Sequence, residues 1–207
     1  MEGLTDSRAA DLGRAEELAA QALALSPRNL LAHNVRGMLL RAQGRHAEAI
    51  AEYEMVLAIN RSWVAAYAHL GEAKLMTGSI EEAIPLIEQA IRLSPRDHNI
   101  GPWYTLTGLV HLLQSRTDEA IVWLERARSA SPARGNIRAH LASAYALNGE
   151  IERAAAELAE ARRLAIDGRF SSIARVRAVQ YPEVPKIRAL FEATYFAGLR
   201  LAGMAEE

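Results

Sequence analysis

The chain has 207 residues, half of them hydrophobic, 24% charged and only 6% aromatic, with a formal net charge of −1. Its apolar content comes mainly from Ala, Leu and Ile, which favours helix over sheet, and a near-neutral balance offers no positive field to gather phosphates, which argues against nucleic-acid binding. With no cysteine, disulfides, thiolate metal sites and a cysteine nucleophile are excluded.

No run nears the ~18 apolar residues of a membrane-spanning helix, and the polar start "MEGLTDSRAADLGRAEE" is unlike a signal peptide. A cytoplasmic protein without membrane insertion is expected. Asn60-Arg61-Ser62 matches a glycosylation sequon in form only, since no secretion signal accompanies it.

In chain order, Ala15, Ala19, Ala22 and Pro27 come first, and they match the second half of a unit that then recurs. Gly37 is followed by Gly44, Ala49, Tyr53, Val56 and Arg61. Gly71 is followed at the same offsets by Gly78, Ala83, Ile87, Ala90 and Pro95. Gly108 leads to Ser115, Ala120, Leu124, Ala127 and Pro132, and Ala142 to Gly149, Ala154, Leu158, Ala161 and Ile166. Anchors 37 and 71 lie 34 apart, as do 108 and 142, while 71 and 108 are separated by 37, so three extra residues sit near "RDHNIGP". A period of this length marks a repeat architecture.

Helix packing accounts for the residue types. Anchor positions are small because the two antiparallel helices of one unit approach closely there. Gly44, Gly78 and Gly149 suit the turn between them. Ser79 with Glu82 forms a potential capping box for the second helix. "LSPR", found twice, and "ASPA" place a proline where the second helix stops. Pro85, early in a helix but past its free N–H groups, predicts a mild kink.

This pattern resembles the tetratricopeptide repeat, a 34-residue helix-turn-helix unit with small residues at these offsets and a terminal proline. The resemblance covers residues 14–166. It departs from the family pattern at Arg61 and Ile166 in place of proline, at Ser115 in place of the turn glycine, and at the position of the large aromatic, which is kept as Tyr67 and Tyr104 but is His33 and Arg138 in the other two repeats. It implies an all-α fold, a right-handed α-α superhelix. Expected boundaries are an N-terminal half repeat at 1–29, repeats at 30–63, 64–97, 98–134 and 135–166, and C-terminal capping helices at 167–207.

The half repeat would centre its missing first helix near Gly3, with too few residues ahead. The array is thus expected either to have been cut from a longer protein or to pair its open face with another subunit. At the other end, "DGRFSSIARVRAVQ" starts after an Asp-Gly turn with Ser171 or Ser172 to cap a short helix, and "YPEVP" breaks it. Ile187, Leu190, Phe191, Tyr195 and Leu199 then recur at helical spacing. These helices either cover the apolar face of the last repeat, as the ends of a solenoid require, or form a detachable segment that docks in the groove or on another protein. This tail and the repeats before it resemble the C-terminal regions of bacterial class III adenylate cyclases and winged-helix regulators. That implies a sensory or scaffolding module attached to an output domain, although no cyclase residues are present here.

Catalytic patterns are missing. The histidines at 33, 46, 69, 98, 111 and 140 have no His-Glu-x-x-His spacing, and neither a phosphate loop nor a Gly-x-Ser-x-Gly elbow occurs. His111 reads as a structural histidine, and Glu81, Glu82, Asp118 and Glu119 open helices where they favour the dipole. No enzyme activity and no cofactor are expected.

A partner would bind on the first helices, which line the concave wall of such a stack. Helical geometry puts one stripe on that wall: Leu31, Asn34, Met38 and Arg41; Ala65, Ala68, Glu72 and Leu75; Pro102, Thr105, Leu109 and Leu112; Asn136, Ala139, Ser143 and Ala146. Leu40, Leu70 and Leu141 belong to the opposite, buried stripe. The family's binders of acidic chaperone tails line this wall with cations. Here only Arg41 and Asn34 suit that role, so an apolar or amphipathic segment fits better, unless neighbouring side chains or the chain's own tail fill the stripe. The expected function is a non-catalytic interaction or scaffold module of a bacterial signalling protein. The alternative is a homodimerisation element built from the half repeat and the C-terminal helix.

Overall fold

The computed structural model describes residues 2–180, 182 and 184–207, and side chains from residue 10 onward apart from Gln180. It divides into two compact units, Met1–Ser94 and Pro95–Glu207. The first contains α1 (Glu2–Leu25), α2 (Leu30–Ala42), α3 (His46–Ile59), α4 (Val64–Met76) and α5 (Ile80–Leu93). The second contains α6 (Ile100–Leu113), α7 (Thr117–Ala130), α8 (Gly135–Leu147) and α9 (Ile151–Leu164). A 3-10 turn (Arg169–Ser171), α10 (Ile173–Gln180), α11 (Pro185–Phe191), a π-helical turn (Glu192–Phe196) and α12 (Ala197–Leu201) complete it. Among the described residues the sole β pairing is an isolated parallel bridge between Ser172 and Ala205. The chain is all-α, built of paired helix-turn-helix repeats of the tetratricopeptide type with further helices at the C-terminal end.

Within each unit α2 packs on α3, α4 on α5, α6 on α7 and α8 on α9, and successive pairs join through α3 on α4 and α7 on α8. The anchors are equivalent in space as well as in sequence. A methyl group on Gly37 would lie 2.6 Å from Tyr53 Cε1, on Gly71 2.9 Å from Ile87 Cγ1, and on Gly108 2.6 Å from Leu124 Cγ. Each partner lies sixteen residues further on. Ala142 keeps its methyl, and both it and Leu158 at the same offset are buried. Around the first such contact Leu40, Val56, Ala66 and Leu70 close the core of the N-terminal unit.

The turns follow the same register. Gly44, Gly78 and Gly149 have φ of 76°, 99° and 82°, and Ser115 takes that left-handed conformation without being glycine, at φ 58°. The second helices stop two residues before Pro27, Pro95 and Pro132, but α3 and α9 stop at the same place before Arg61 and Ile166. Proline is therefore not needed for the stop. Helix α5 continues through the exposed Pro85 from Ile80 to Leu93.

Two caps differ from expectation. The capping box is not made: Ser79 forms no side-chain cap bond, and the Glu82 carboxylate instead lies 3.1 Å from Lys74 Nζ on α4. Asn29 supplies a cap that the repeat pattern did not suggest, its Oδ1 accepting the Ala32 N–H at 3.1 Å. At α10 it is Ser172 whose Oγ accepts, from Arg175 N at 3.3 Å.

The anchor and turn positions respond oppositely to substitution. Gly71→Ala gains about 1 kcal/mol of helix propensity, yet its methyl group collides with Ile87 and, at 3.0 Å, with the Ala83 carbonyl, which is backbone and cannot step aside. Overpacking of this kind costs about 1–3 kcal/mol, so a net loss is expected. Ser115→Gly relieves the left-handed strain and raises stability by ~0.5–1 kcal/mol after the entropy of glycine is counted. Urea unfolding midpoints check both signs.

Candidate functional site

On the first helices of the N-terminal unit the stripe is partly open. Leu31 and Met38 are 61% and 41% exposed, while Asn34 is buried with its Nδ2 donating weakly to Met38 Sδ at 3.7 Å. On α4, Ala65 is half-buried, and Ala68 and Leu75 are buried. The two charges of the stripe neutralise each other: Arg41 Nη1 donates to Glu72 Oε1 at 2.7 Å, joining α2 to α4. Beneath them the Tyr53 and His69 rings lie 5.4 Å apart. Burial pushes the Tyr53 phenol up to about 12. Burial, and then the Arg41 charge, push the His69 imidazole down to about 4. His33 is structural, with Nδ1 2.6 Å from Glu52 Oε2 and Nε2 3.0 Å from the Pro27 carbonyl.

In the C-terminal unit the same stripe is covered. Thr105, Leu109, Leu112, Ala139, Ser143 and Ala146 are all buried, with Pro102 and Asn136 half-buried. Thr105 Oγ1 donates to the carbonyl of Gly101, one turn back, at 2.8 Å. The cover is the chain's own tail: α12 packs on α8, and the π-helical turn touches both α6 and α8. Ser143 Oγ donates to the Tyr195 carbonyl at 2.9 Å. Gly198 lies so close to Ser143 that a methyl group on it would meet Ser143 Cα at 2.8 Å and the hydroxyl and carbonyl oxygens closer still. The His140 and Tyr195 rings are 4.8 Å apart, and Phe191, Tyr195, Phe196 and Leu199 are fully buried.

A rim of charges fastens this tail. Arg177 on α10 donates through Nε and Nη2 to both oxygens of Glu192, each at 2.8 Å. Arg200 Nε reaches Glu206 at 2.9 Å, and Arg200 Nη2 reaches Glu192 at 3.2 Å. Hydrogen bonds from Arg200 and Arg177 pull the Glu206 carboxyl down to about 2. Ile173 and Ala174 N–H groups donate to the Ala205 and Glu206 carbonyls at 2.9 Å each.

Elsewhere in this unit further charges are paired. Glu157 is buried between Arg128 and Arg138, and the Tyr145 hydroxyl donates to Glu125 at 2.6 Å beneath Arg153. An open cavity of about 540 Å³ lies between Tyr104, Val122 and Arg126, with Arg126 stacked 4.8 Å over Trp123. It holds no convergent set of free polar groups of the kind that orients a small ligand. Among the described residues no group of His, Asp or Glu could hold a metal ion, and no helix is long and apolar enough to cross a membrane.

Sequence reasoning placed the stripe on the first helices but did not foresee the Arg41–Glu72 pair, nor Gly198 as the contact with Ser143. The signal for the second was there: a glycine seven residues after Phe191 on the face that carries Tyr195.

Models of the tetratricopeptide repeat match residues 1–62, 40–101 and 111–171. Over 96 residues the chain is 29% identical to the cell division cycle protein 27 homolog of Caenorhabditis elegans, and over 91 residues 30% identical to the Hsp70-Hsp90 organizing protein of Triticum aestivum. These matches cover 46% and 42% of this chain but only 12% and 16% of those proteins. Among solved structures, a thermophilic repeat protein of Thermus thermophilus superposes with a TM-score of 0.64 at 22% identity, covering 96% of this chain and 95% of that one. MamA from Desulfovibrio magneticus RS-1 gives 0.64 at 18%, covering 76% and 87%. YrrB, described as having an unusual peptide-binding site, gives 0.60 at 16%, covering 90% and 93%. At such identities the structures share the fold.

The half-buried His69 and the buried His140 make stability sensitive to mild acid. Burial also pushes His140 down to about 4. Between pH 6.5 and 4 the unfolded chain takes up a proton at His69 and at His140 that the folded chain refuses, so stability falls as pH falls. Each site contributes a slope of about 1.4 kcal/mol per pH unit. Urea unfolding at pH 7 and pH 5 should show this, and His69→Gln and His140→Gln should each remove one proton's share of the slope.

Proposed function

We propose that this chain, which belongs to the tetratricopeptide repeat family, is a non-catalytic protein-interaction module that seats an apolar or amphipathic helix along the first helices of its repeats. The observation that carries this reading is in the C-terminal unit, where a helix already lies on that stripe, though it comes from the same chain. The wall so assigned comprises Leu31, Asn34, Met38, Arg41, Ala65, Ala68, Glu72 and Leu75 in one unit, and Thr105, Leu109, Leu112, Asn136, Ala139 and Ser143 in the other. Leu31 and Met38 are the side chains it offers most openly. An acidic chaperone tail is a poor fit despite the likeness to the Hsp70-Hsp90 organizing protein, because Arg41 is already neutralised by Glu72. YrrB's peptide-binding site is in keeping with the class of ligand. The reading of the chain as the C-terminal regulatory arm of a bacterial signalling protein rests only on the resemblance of its tail and the repeats before it to such regions.

A second reading, homodimerisation, draws on α1, where Leu18 and Leu25 are 57% and 89% exposed. The C-terminal helix, the other element of this reading, packs on α8 within its own unit and leaves Leu201 55% exposed. Light scattering of Leu18→Glu/Leu25→Glu beside the parent chain reads this directly, a monomer in both cases removing it.

For the main reading, Leu31→Glu/Met38→Glu is the variant of choice, because both side chains are at the surface and the fold should keep its melting temperature. It should weaken a partner captured by the parent chain by at least about tenfold, as loss of exposed apolar anchors does. Undiminished capture would remove the assignment. Leu109 and Leu112, buried in this structure, are unsuited to the purpose, since a charge there unfolds the unit.

A further inference from the structure

Residues 185–201 meet the C-terminal unit in a manner unlike the continuation of a stack. A next repeat would lay its first helix mainly against the preceding second helix, as α4 does on α3 and α8 on α7. Here the 3-10 turn meets α9, through Phe170 among others, while α12 and the π-helical turn cross to the first helices α6 and α8. The segment lies where a ligand would lie.

We infer that this inner face is a helix-binding site whose specificity can be read from its present occupant. Its partner is an amphipathic helix of another protein with aromatic side chains at positions i and i+4 and glycine at i+7, and this helix competes with residues 185–201 for the face. The inference deepens the interaction reading above and rests on it.

Three observations carry the register. Phe191 and Tyr195 supply the aromatic pair, both fully buried, with ring centroids 5.9 Å apart edge to face. Gly198 makes the close approach: at 2.8 Å from Ser143 Cα to a would-be methyl, any larger residue pushes the helix off the backbone of α8. The Ser143 hydroxyl then reads the backbone of the occupant, not its side chains, through the Tyr195 carbonyl.

The occupant is also an imperfect one. The Tyr195 hydroxyl is buried without a hydrogen-bond partner, an arrangement that weakens docking. The segment must further adopt a π-helical turn at Glu192–Phe196, a geometry rare in stable helices and associated with functional sites. Besides its buried aromatic side chains it is fastened by the Arg177, Arg200, Glu192 and Glu206 rim, which is partly solvent-exposed and therefore weak and screened by salt. A foreign helix with phenylalanine in place of tyrosine meets the same face without the unpartnered hydroxyl. A second copy of this chain would bring the same hydroxyl and the same π turn and gain nothing, which is why the partner is a different protein.

The test uses the full chain and a labelled synthetic peptide of residues 184–202, followed by fluorescence anisotropy. In the parent chain the tethered segment competes at roughly millimolar effective concentration, so the peptide should bind weakly. Two full-length variants loosen the tether, Arg177→Gln/Arg200→Gln at the rim and Gly198→Ala at the close contact. Each should bind the peptide at least about tenfold more tightly. A Tyr195→Phe peptide should bind more tightly still, and a Gly198→Ala peptide should fail. Variants that take up the peptide no better than the parent, that accept the Gly198→Ala peptide equally, or that lose cooperative unfolding would show the segment to be a fixed part of the core. A loosened chain that dimerises and excludes the peptide would make a second copy the occupant. The Leu31 and Met38 experiment reads the other unit, so it can succeed where this one fails.

Discussion

The structure depends on one steric condition: where the two helices of a repeat cross, one residue must have almost no side chain. Gly37, Gly71 and Gly108 meet Tyr53, Ile87 and Leu124 at distances that leave no room for a methyl group, and Ala142 sits opposite Leu158 in the same register. That contact fixes the rotation of each first helix about its own axis. Residues one and four positions beyond the anchor are then turned together to a different face: Met38 and Arg41, Glu72 and Leu75, Leu109 and Leu112, Ser143 and Ala146. The candidate surface is thus a geometric consequence of the core, and it needs no separate design. The same condition is met once more between Gly198 and Ser143, where the tail lies on the first helix of the last repeat.

Charge is used locally. Twenty-four basic and twenty-five acidic residues leave a net −1, and many of them face each other across helices. Arg41 meets Glu72, Lys74 lies between Glu54 and Glu82, Glu157 accepts from Arg128 and Arg138, and Arg177 and Arg200 share Glu192 and Glu206. Exposed pairs of this kind contribute only ~0–1 kcal/mol each. They join neighbouring helices, and the Arg41–Glu72 pair leaves the stripe without a free charge.

The fold was legible in the sequence because its controlling feature is a residue size at a fixed period, and size at a position needs no knowledge of distant neighbours. Ser115 was recognised as occupying a glycine's place, and the structure shows it paying the left-handed cost. The capping box was not legible. Ser79 and Glu82 have the right spacing, but Ser79 at φ −87° and ψ 57° lacks the extended geometry of a capping residue, and Lys74 on another helix draws Glu82 away. The tail shows the same limit on a larger scale. The spacing of Phe191, Tyr195 and Leu199 announces an amphipathic helix, yet the face it covers depends on contacts with residues 143 and 140, some fifty positions earlier. A stripe of small neutral residues looks alike whether it awaits a foreign helix or the chain's own, so composition left both open.

The two units also differ in the side chains their stripes carry. On α6 and α8 the covered stripe ends in Ala139, Ser143 and Ala146, side chains too short to hold a partner by reaching round it. Such a surface lets a backbone come near, and glycine is the residue that comes nearest, as Gly198 does. On α2 and α4 the open positions are Leu31 and Met38, long and adaptable, beside an ion pair that is already closed. A surface of that kind is apolar and adaptable, because methionine repacks with little cost. One repeat rule therefore yields two stripes of unlike exposure, one covered by the chain's own tail and the other partly open at Leu31 and Met38.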